Sequence, residues 1–195
     1  MRALQAGNPD DASKHLERAV SAYPCYARAL SALGAAHAMQ NDFGPAESAF
    51  RDSIKCDDGF LEAYVRLAVL LKSQGRYPVC QTVLQQGVRR FPEEWTLHYQ
   101  LGNVDAVMGD YASAEQELVK AQTLNTTPPP EIHVRLAEFY RNWKKYDKAR
   151  AEAETYLRIE PHGPLAESAR KLLQELRASG ALKIADKPTM PTNKR

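Results

Sequence analysis

Cysteine is scarce in this 195-residue chain. Cys25, Cys56 and Cys80 are odd in number, far apart, and form no CxxC pair, which argues against a disulfide framework and against a zinc cluster. Long apolar runs are missing too. No stretch approaches the roughly 20 residues that span a bilayer, and the first residues lack the apolar core of a secretory signal. Neither sign of charge is in excess: 26 Lys and Arg stand against 24 Asp and Glu, a formal net charge of +2. Bulk attraction to nucleic acid or to an anionic membrane is therefore not expected. Catalytic signatures are lacking as well, with no Gly-rich phosphate loop, no GxSxG elbow and no HExxH. No catalytic residue, metal site or cofactor is assigned. The paired acids Asp10-Asp11, Asp57-Asp58 and Glu93-Glu94 fall at helix starts or turns, where a carboxylate favours the positive end of the helix dipole.

What the chain has is recurrence. Tyr64, Leu67-Ala68, Leu71, Gly75-Arg76-Tyr77, Cys80, Leu84, Gly87 and Pro92 set the pattern. The same kinds of residue return 34 positions later as His98, Leu101-Gly102, Gly109-Asp110-Tyr111, Ala114, Leu118 and Ala121. They stand 34 positions earlier as Leu30, Leu33-Gly34, Asn41-Asp42-Phe43, Ala46, Phe50 and Ser53. A further copy holds His133, Leu136-Ala137, Tyr140, Tyr146, Ala149, Ala153, Tyr156 and Pro161, and a half copy with Pro9, Ala12, Leu16, Ala19 and Pro24 opens the chain. A fixed period of this length signals stacked supersecondary units, none of which buries its apolar face alone. Cys80 sits where the period expects a small buried residue, and a free cysteine behaves as a small hydrophobe.

The pattern resembles the tetratricopeptide repeat, a helix-turn-helix unit. That resemblance implies an all-α fold, a right-handed α-solenoid superhelix of about four and a half repeats with a C-terminal capping helix. The expected solenoid covers residues 1–178: a half repeat 1–26, repeats 27–60, 61–94, 95–128 and 130–163, and a capping helix 164–178. The run Pro128-Pro129-Pro130 lengthens one link and is read as a stiff spacer with Pro130 at a helix start. Residues 179–195, basic and poor in apolar side chains, are expected to be a flexible tail. Because the half repeat begins in good register, the chain is read as a piece cut from a longer protein. The cytoplasm is the default compartment, the periplasm if an upstream signal was removed.

In tetratricopeptide proteins the first helix of each repeat lines a concave groove, so the resemblance implies that a peptide segment of another protein, extended or helical, lies there. The groove is assigned to Val65, Val69, Lys72, Tyr99, Asn103, Arg135, Glu138 and Arg141. Val65, Val69 and Tyr99 supply an apolar centre, Asn103 an amide for the peptide backbone, and Lys72, Arg135 and Arg141 cations for an acidic group. Ser31, Ala35 and Val134 share the inward phase. The Lys and Asn clamp with which tetratricopeptide co-chaperones grip a chaperone tail is missing, since Ser31, Ala35, Arg66, Thr96 and Gln100 occupy those places. His98 and His133 recur in phase, but neighbouring helices lie about 8–10 Å apart and no third ligand is evident, so burial between helices is expected. The reading is a non-catalytic adaptor or scaffold. The alternatives are the substrate-recognition arm of a larger enzyme, such as a transferase, or a bacterial envelope or pilus assembly factor. The half repeat predicts homodimerisation through residues 1–22.

Overall fold

The computed structural model describes residues 9–124 and 129–178, which divide into two compact units on either side of Thr126. The expected tail and the start of the half repeat lie outside the described residues. Among the described residues there are ten helices and no strands: α1 Pro9–Ala22, α2 Ala27–Met39, α3 Phe43–Cys56, α4 Leu61–Ser73, α5 Tyr77–Arg90, α6 Trp95–Met108 and α7 Tyr111–Leu124 in the first unit. The second unit holds α8 Glu131–Asn142, α9 Tyr146–Ile159 and α10 Ala166–Ala178. No described helix is long and apolar enough to cross a membrane.

One turn is built four times. Asn41, Gly75, Gly109 and Lys144 all adopt left-handed backbone angles, with φ of 61°, 69°, 84° and 58°. In each case the next amide reaches back five residues: Asp42 N–H donates to His37 O at 2.9 Å, Arg76 to Leu71 at 3.0 Å, Asp110 to Asp105 at 3.0 Å and Lys145 to Tyr140 at 2.8 Å. This bond satisfies a helix-end carbonyl and folds the chain back into an antiparallel pair. Glycine enters the left-handed region without a Cβ clash, whereas a lysine is held there at a cost. Lys144→Gly is therefore expected to stabilise the second unit by about 1 kcal/mol, read as a higher urea midpoint at unchanged slope.

The core of the first unit follows the periodic residues. Phe50, Tyr64, Leu67, Leu71, Leu84, Leu97 and Leu101 pack as one buried cluster. Burial of each such side chain contributes roughly 1.5–3 kcal/mol. Helices pack against their sequence neighbours, and the first helices of successive hairpins also touch, α2 with α4 and α4 with α6. In the second unit α10 packs on both α9 and α8, as the first helix of a further hairpin would. It buries Ala166, Ala169, Leu172 and Leu176. Pro130 stands at the start of α8 in helical geometry, and its carbonyl accepts from His133 N–H at 3.1 Å. The Tyr156 hydroxyl, fully buried, accepts the Leu165 N–H at 3.0 Å and so ties the α9–α10 link to the core.

One expectation is corrected. Cys25 and Cys56 form a disulfide, with Cα atoms 5.1 Å apart. Their distance in sequence argued against pairing, but they lie at the two chain ends of one helix hairpin, which returns the second beside the first. Cys80 keeps its thiol, fully buried, 3.3 Å from the Ala68 carbonyl that it faces. Burial pushes that thiol's pKa up, with the Lys72 charge acting against it, so Cys80 is a packing residue.

Candidate groove on the first helices of the hairpins

Val65 and Val69 lie on one side of α4, Val65 half-buried and Val69 48% exposed. They form one wall of an open depression of about 320 Å³. Ala35 and Ala38 of α2 and Phe43 at the start of α3 form the other, with Arg66 at the edge. Its origin is in the period. Ala35 and Ala38 occupy the places that Val69 and Lys72 take one repeat later, so α2 withholds the volume that would close the space. Met39, 52% exposed, and Phe43, 39% exposed, extend the apolar surface toward the hairpin turn.

The polar groove residues are engaged within the chain. Lys72 Nζ donates to Gln100 Oε1 at 2.7 Å, linking α4 to α6. Asn103 Nδ2 donates to the Tyr99 carbonyl of its own helix at 2.7 Å, which leaves its side-chain oxygen as the acceptor for a ligand. The Tyr99 ring lies against Trp95, centroids 6.3 Å apart. Arg66 pairs with Glu62 one turn back. In the second unit, Arg135 pairs with Glu138 at 3.0 Å and Arg141 with Glu175 of α10 at 3.1 Å. An acidic ligand must compete with these carboxylates, so the cationic part of the expected site is weaker than the apolar part. Ser31 and Val134, expected to face inward, are 2% exposed and belong to the interior.

The two in-phase histidines are absorbed by their own hairpins. His98, 5% exposed, donates from Nε2 to the Pro92 carbonyl at 3.0 Å, and its Nδ1 lies 2.6 Å from Glu117 Oε2. His133 repeats the second contact with Glu152 at 2.6 Å. Glu117 and Glu152 stand 19 residues after their histidines. That recurrence was readable as a covarying pair between the two copies. Among the described residues no group of three or more His, Cys, Asp or Glu side chains converges to hold a metal ion.

Two carboxylates, Glu47 half-buried and Asp105 buried, do other work. Glu47 of α3 takes Arg51 from its own helix and Arg76 from the α4–α5 turn. Burial acts to raise its pKa, but the hydrogen bonds from Arg76 and Arg51 outweigh it and hold the carboxyl below its ordinary range. Asp105 of α6, 2% exposed, accepts from Gln81 Nε2 at 2.7 Å. Burial raises its pKa; the Gln81 hydrogen bond opposes this, and the negative charges of Asp110 and Glu117 add to it.

The profile of the tetratricopeptide repeat matches residues 1–59, 65–121 and 99–164. The chain belongs to the tetratricopeptide repeat family. It is thus an all-α repeat protein of the solenoid type and, in general terms, a protein–protein interaction module. No curated protein sequence matches it. Among solved structures it is similar to TTC0263, a thermophilic tetratricopeptide repeat protein of Thermus thermophilus, with 26% identity over 89% of this chain and 94% of that one, TM-score 0.64. It is also similar to MamA from Desulfovibrio magneticus RS-1, with 20% identity over 84% of this chain and 92% of that one, TM-score 0.73. YrrB, described as having an unusual peptide-binding site, has 15% identity over 87% of each chain, TM-score 0.71.

Proposed function

We propose that the chain is a non-catalytic adaptor that holds a peptide segment of a partner protein along the first helices of its hairpins, with one large apolar side chain anchored between α2 and α4. The observation that carries this reading is the depression walled by Ala35, Ala38, Phe43, Val65 and Val69. Its volume falls within the roughly 300–1,000 Å³ of ligand sites, and its lining is apolar with Arg66 at the margin. Apolar anchors in such sites provide most of the affinity, while polar neighbours set orientation. Tyr99, Asn103 and Lys72 flank the anchor site as orienting groups. A peptide-binding site in a protein of similar fold, YrrB, supports the same reading.

The test is a peptide display selection on the full chain, followed by titration of a fluorescently labelled winner. Peptides with a large aliphatic or aromatic residue are expected to be enriched. Val65→Glu and Val69→Glu, each placing a charge in the apolar wall, are expected to weaken the winner at least tenfold, about 1.4 kcal/mol, with an unchanged far-UV spectrum. Enrichment of peptides without an apolar anchor, or wild-type affinity in both variants, rejects the reading.

A second reading, an assembly factor of a bacterial envelope, draws support from the Cys25–Cys56 disulfide, because disulfides persist in oxidising compartments such as the periplasm. Partner-driven recovery from the periplasmic rather than the cytoplasmic fraction distinguishes it. Self-association through residues 1–22 belongs to the same proposal and is read by sedimentation at high concentration.

A further inference from the structure

The disulfide closes a hairpin whose first helix is rich in small residues. Cys25, exposed, precedes α2, and Cys56, half-buried, ends α3, so the bond clasps the open end of the α2–α3 hairpin opposite its Asn41 turn. The hairpin's two helices approach closely at Gly34, which faces Phe50 and Ala46, but the first of them buries few large side chains. Leu30 and Leu33 are the large apolar side chains among the buried residues of α2, the others being Ala27, Ala29, Ala32, Ala36, Gly34 and Ser31. In α4 the corresponding set contains Tyr64, Leu67, Leu70 and Leu71. Apolar stabilisation scales with area removed from water, so α2 contributes much less than α4. Ser31 adds a cost, since its buried Oγ has no hydrogen-bond partner. Besides the disulfide, the open end is tied by Ser53 Oγ, which donates to the Ala27 carbonyl at 2.8 Å.

We infer that Cys25–Cys56 is a redox-operated staple of this hairpin. Oxidised, it restricts the unfolded alternatives of a segment whose first helix buries mainly small side chains. A dithiol reductant opens it: a thiolate attacks the exposed Cys25 sulfur, Cys56 leaves as thiolate and takes a proton, and the second thiol of the reductant resolves the mixed disulfide. The products are two protein thiols and the cyclic disulfide of the reductant, with two electrons and two protons transferred. Cys80, fully buried, takes no part. The consequence reaches the groove, because Ala35, Ala38 and Phe43 belong to this hairpin and form one wall of the depression. That consequence rests on the peptide-binding reading, whereas the staple itself does not.

The test uses the full chain equilibrated with oxidised glutathione, then with or without dithiothreitol. Titration of the denatured protein is expected to find one thiol before reduction and all three cysteines after it. Hydrogen exchange read by mass spectrometry is expected to accelerate at least tenfold in residues 27–56 on reduction, with residues 61–124 changing less than twofold. The Cys25→Ser/Cys56→Ser variant is expected to exchange at the fast rate with or without dithiothreitol. If the variant does not fold, the reduced wild type carries the same comparison. Three thiols after oxidation, unchanged exchange in residues 27–56, or acceleration spread evenly over the first unit overturns the inference. A staple that responds in exchange while the displayed peptides bind equally in both states leaves this inference standing and removes its link to the groove.

Discussion

Gly102→Ala is expected to destabilise the protein by about 2 kcal/mol, while Gly44→Ala is expected to change its stability by less than about 0.5 kcal/mol. Gly102 lies in the interior of α6, where alanine is the better helix former by roughly 1 kcal/mol; Gly44 is in the first turn of α3, before Pro45. What differs is the space around the missing Cβ. At Gly102 a Cβ would stand 2.7 Å from Leu118 Cγ and 3.1 Å from the Ala114 carbonyl oxygen, both on α7. Neither can yield: the oxygen is backbone, and Leu118 is 2% exposed. The α6–α7 pair must part, and overpacking of this kind costs about 1–3 kcal/mol, more with backbone movement. At Gly44 a Cβ would meet no group beyond its chain neighbours within 4 Å, and the crowding by the Pro45 ring that follows offsets the modest helix preference of the first turn. Urea midpoints at constant slope measure both. Leu118→Ala in each background gives the coupling. If the clash is with Leu118, that second change costs less in Gly102→Ala than in wild type. Equal costs refute the account.

Close helix approach at Gly34 and Gly102 was legible in the sequence because both recur in phase after a leucine. So were the hairpin turns, since Asn41, Gly75 and Gly109 are residues that tolerate left-handed geometry. Lys144 was not legible as a turn residue from its own chemistry; its place in the period identified it. The disulfide was hidden because linear spacing says nothing of which chain ends a hairpin brings together. The depression between α2 and α4 was partly legible in Ala35 and Val69, but its depth depends on how Phe43 and Val65 pack. Pairing was the least accessible. That Lys72 turns to Gln100, and Arg141 to Glu175, depends on rotamers across neighbouring helices, a choice the repeat period does not encode.

Asp105 had a readable signal that composition conceals. It stands one repeat after Leu71 and one before Tyr140, which are 0% and 4% exposed, so an acid occupies a position that its neighbours fill with apolar side chains. It also lies near the C-terminal end of α6, where the helix dipole disfavours negative charge. Its pKa is raised from the ordinary value near 3.8, burial being the largest cause. The folded chain therefore keeps a proton at pH values where the unfolded chain has lost it. Stability must fall as pH rises from about 3.8 through the raised value, then stay low. Glu47 acts in the opposite sense: its pKa is lowered, so its contribution is present at neutral pH and is lost on acidification. Comparing variant with wild type at each pH separates the two. Asp105→Asn is expected to match wild type closely in acid and to become progressively more stable than it toward neutral pH. Asp105→Leu is expected to gain about 2 kcal/mol at pH 7, since an apolar side chain replaces a buried charge and the half-exposed Gln81 turns to water. A constant difference across pH in the Asn variant would mean that Asp105 is already ionised in the folded state at the lowest pH measured, and that the Gln81 hydrogen bond outweighs its burial.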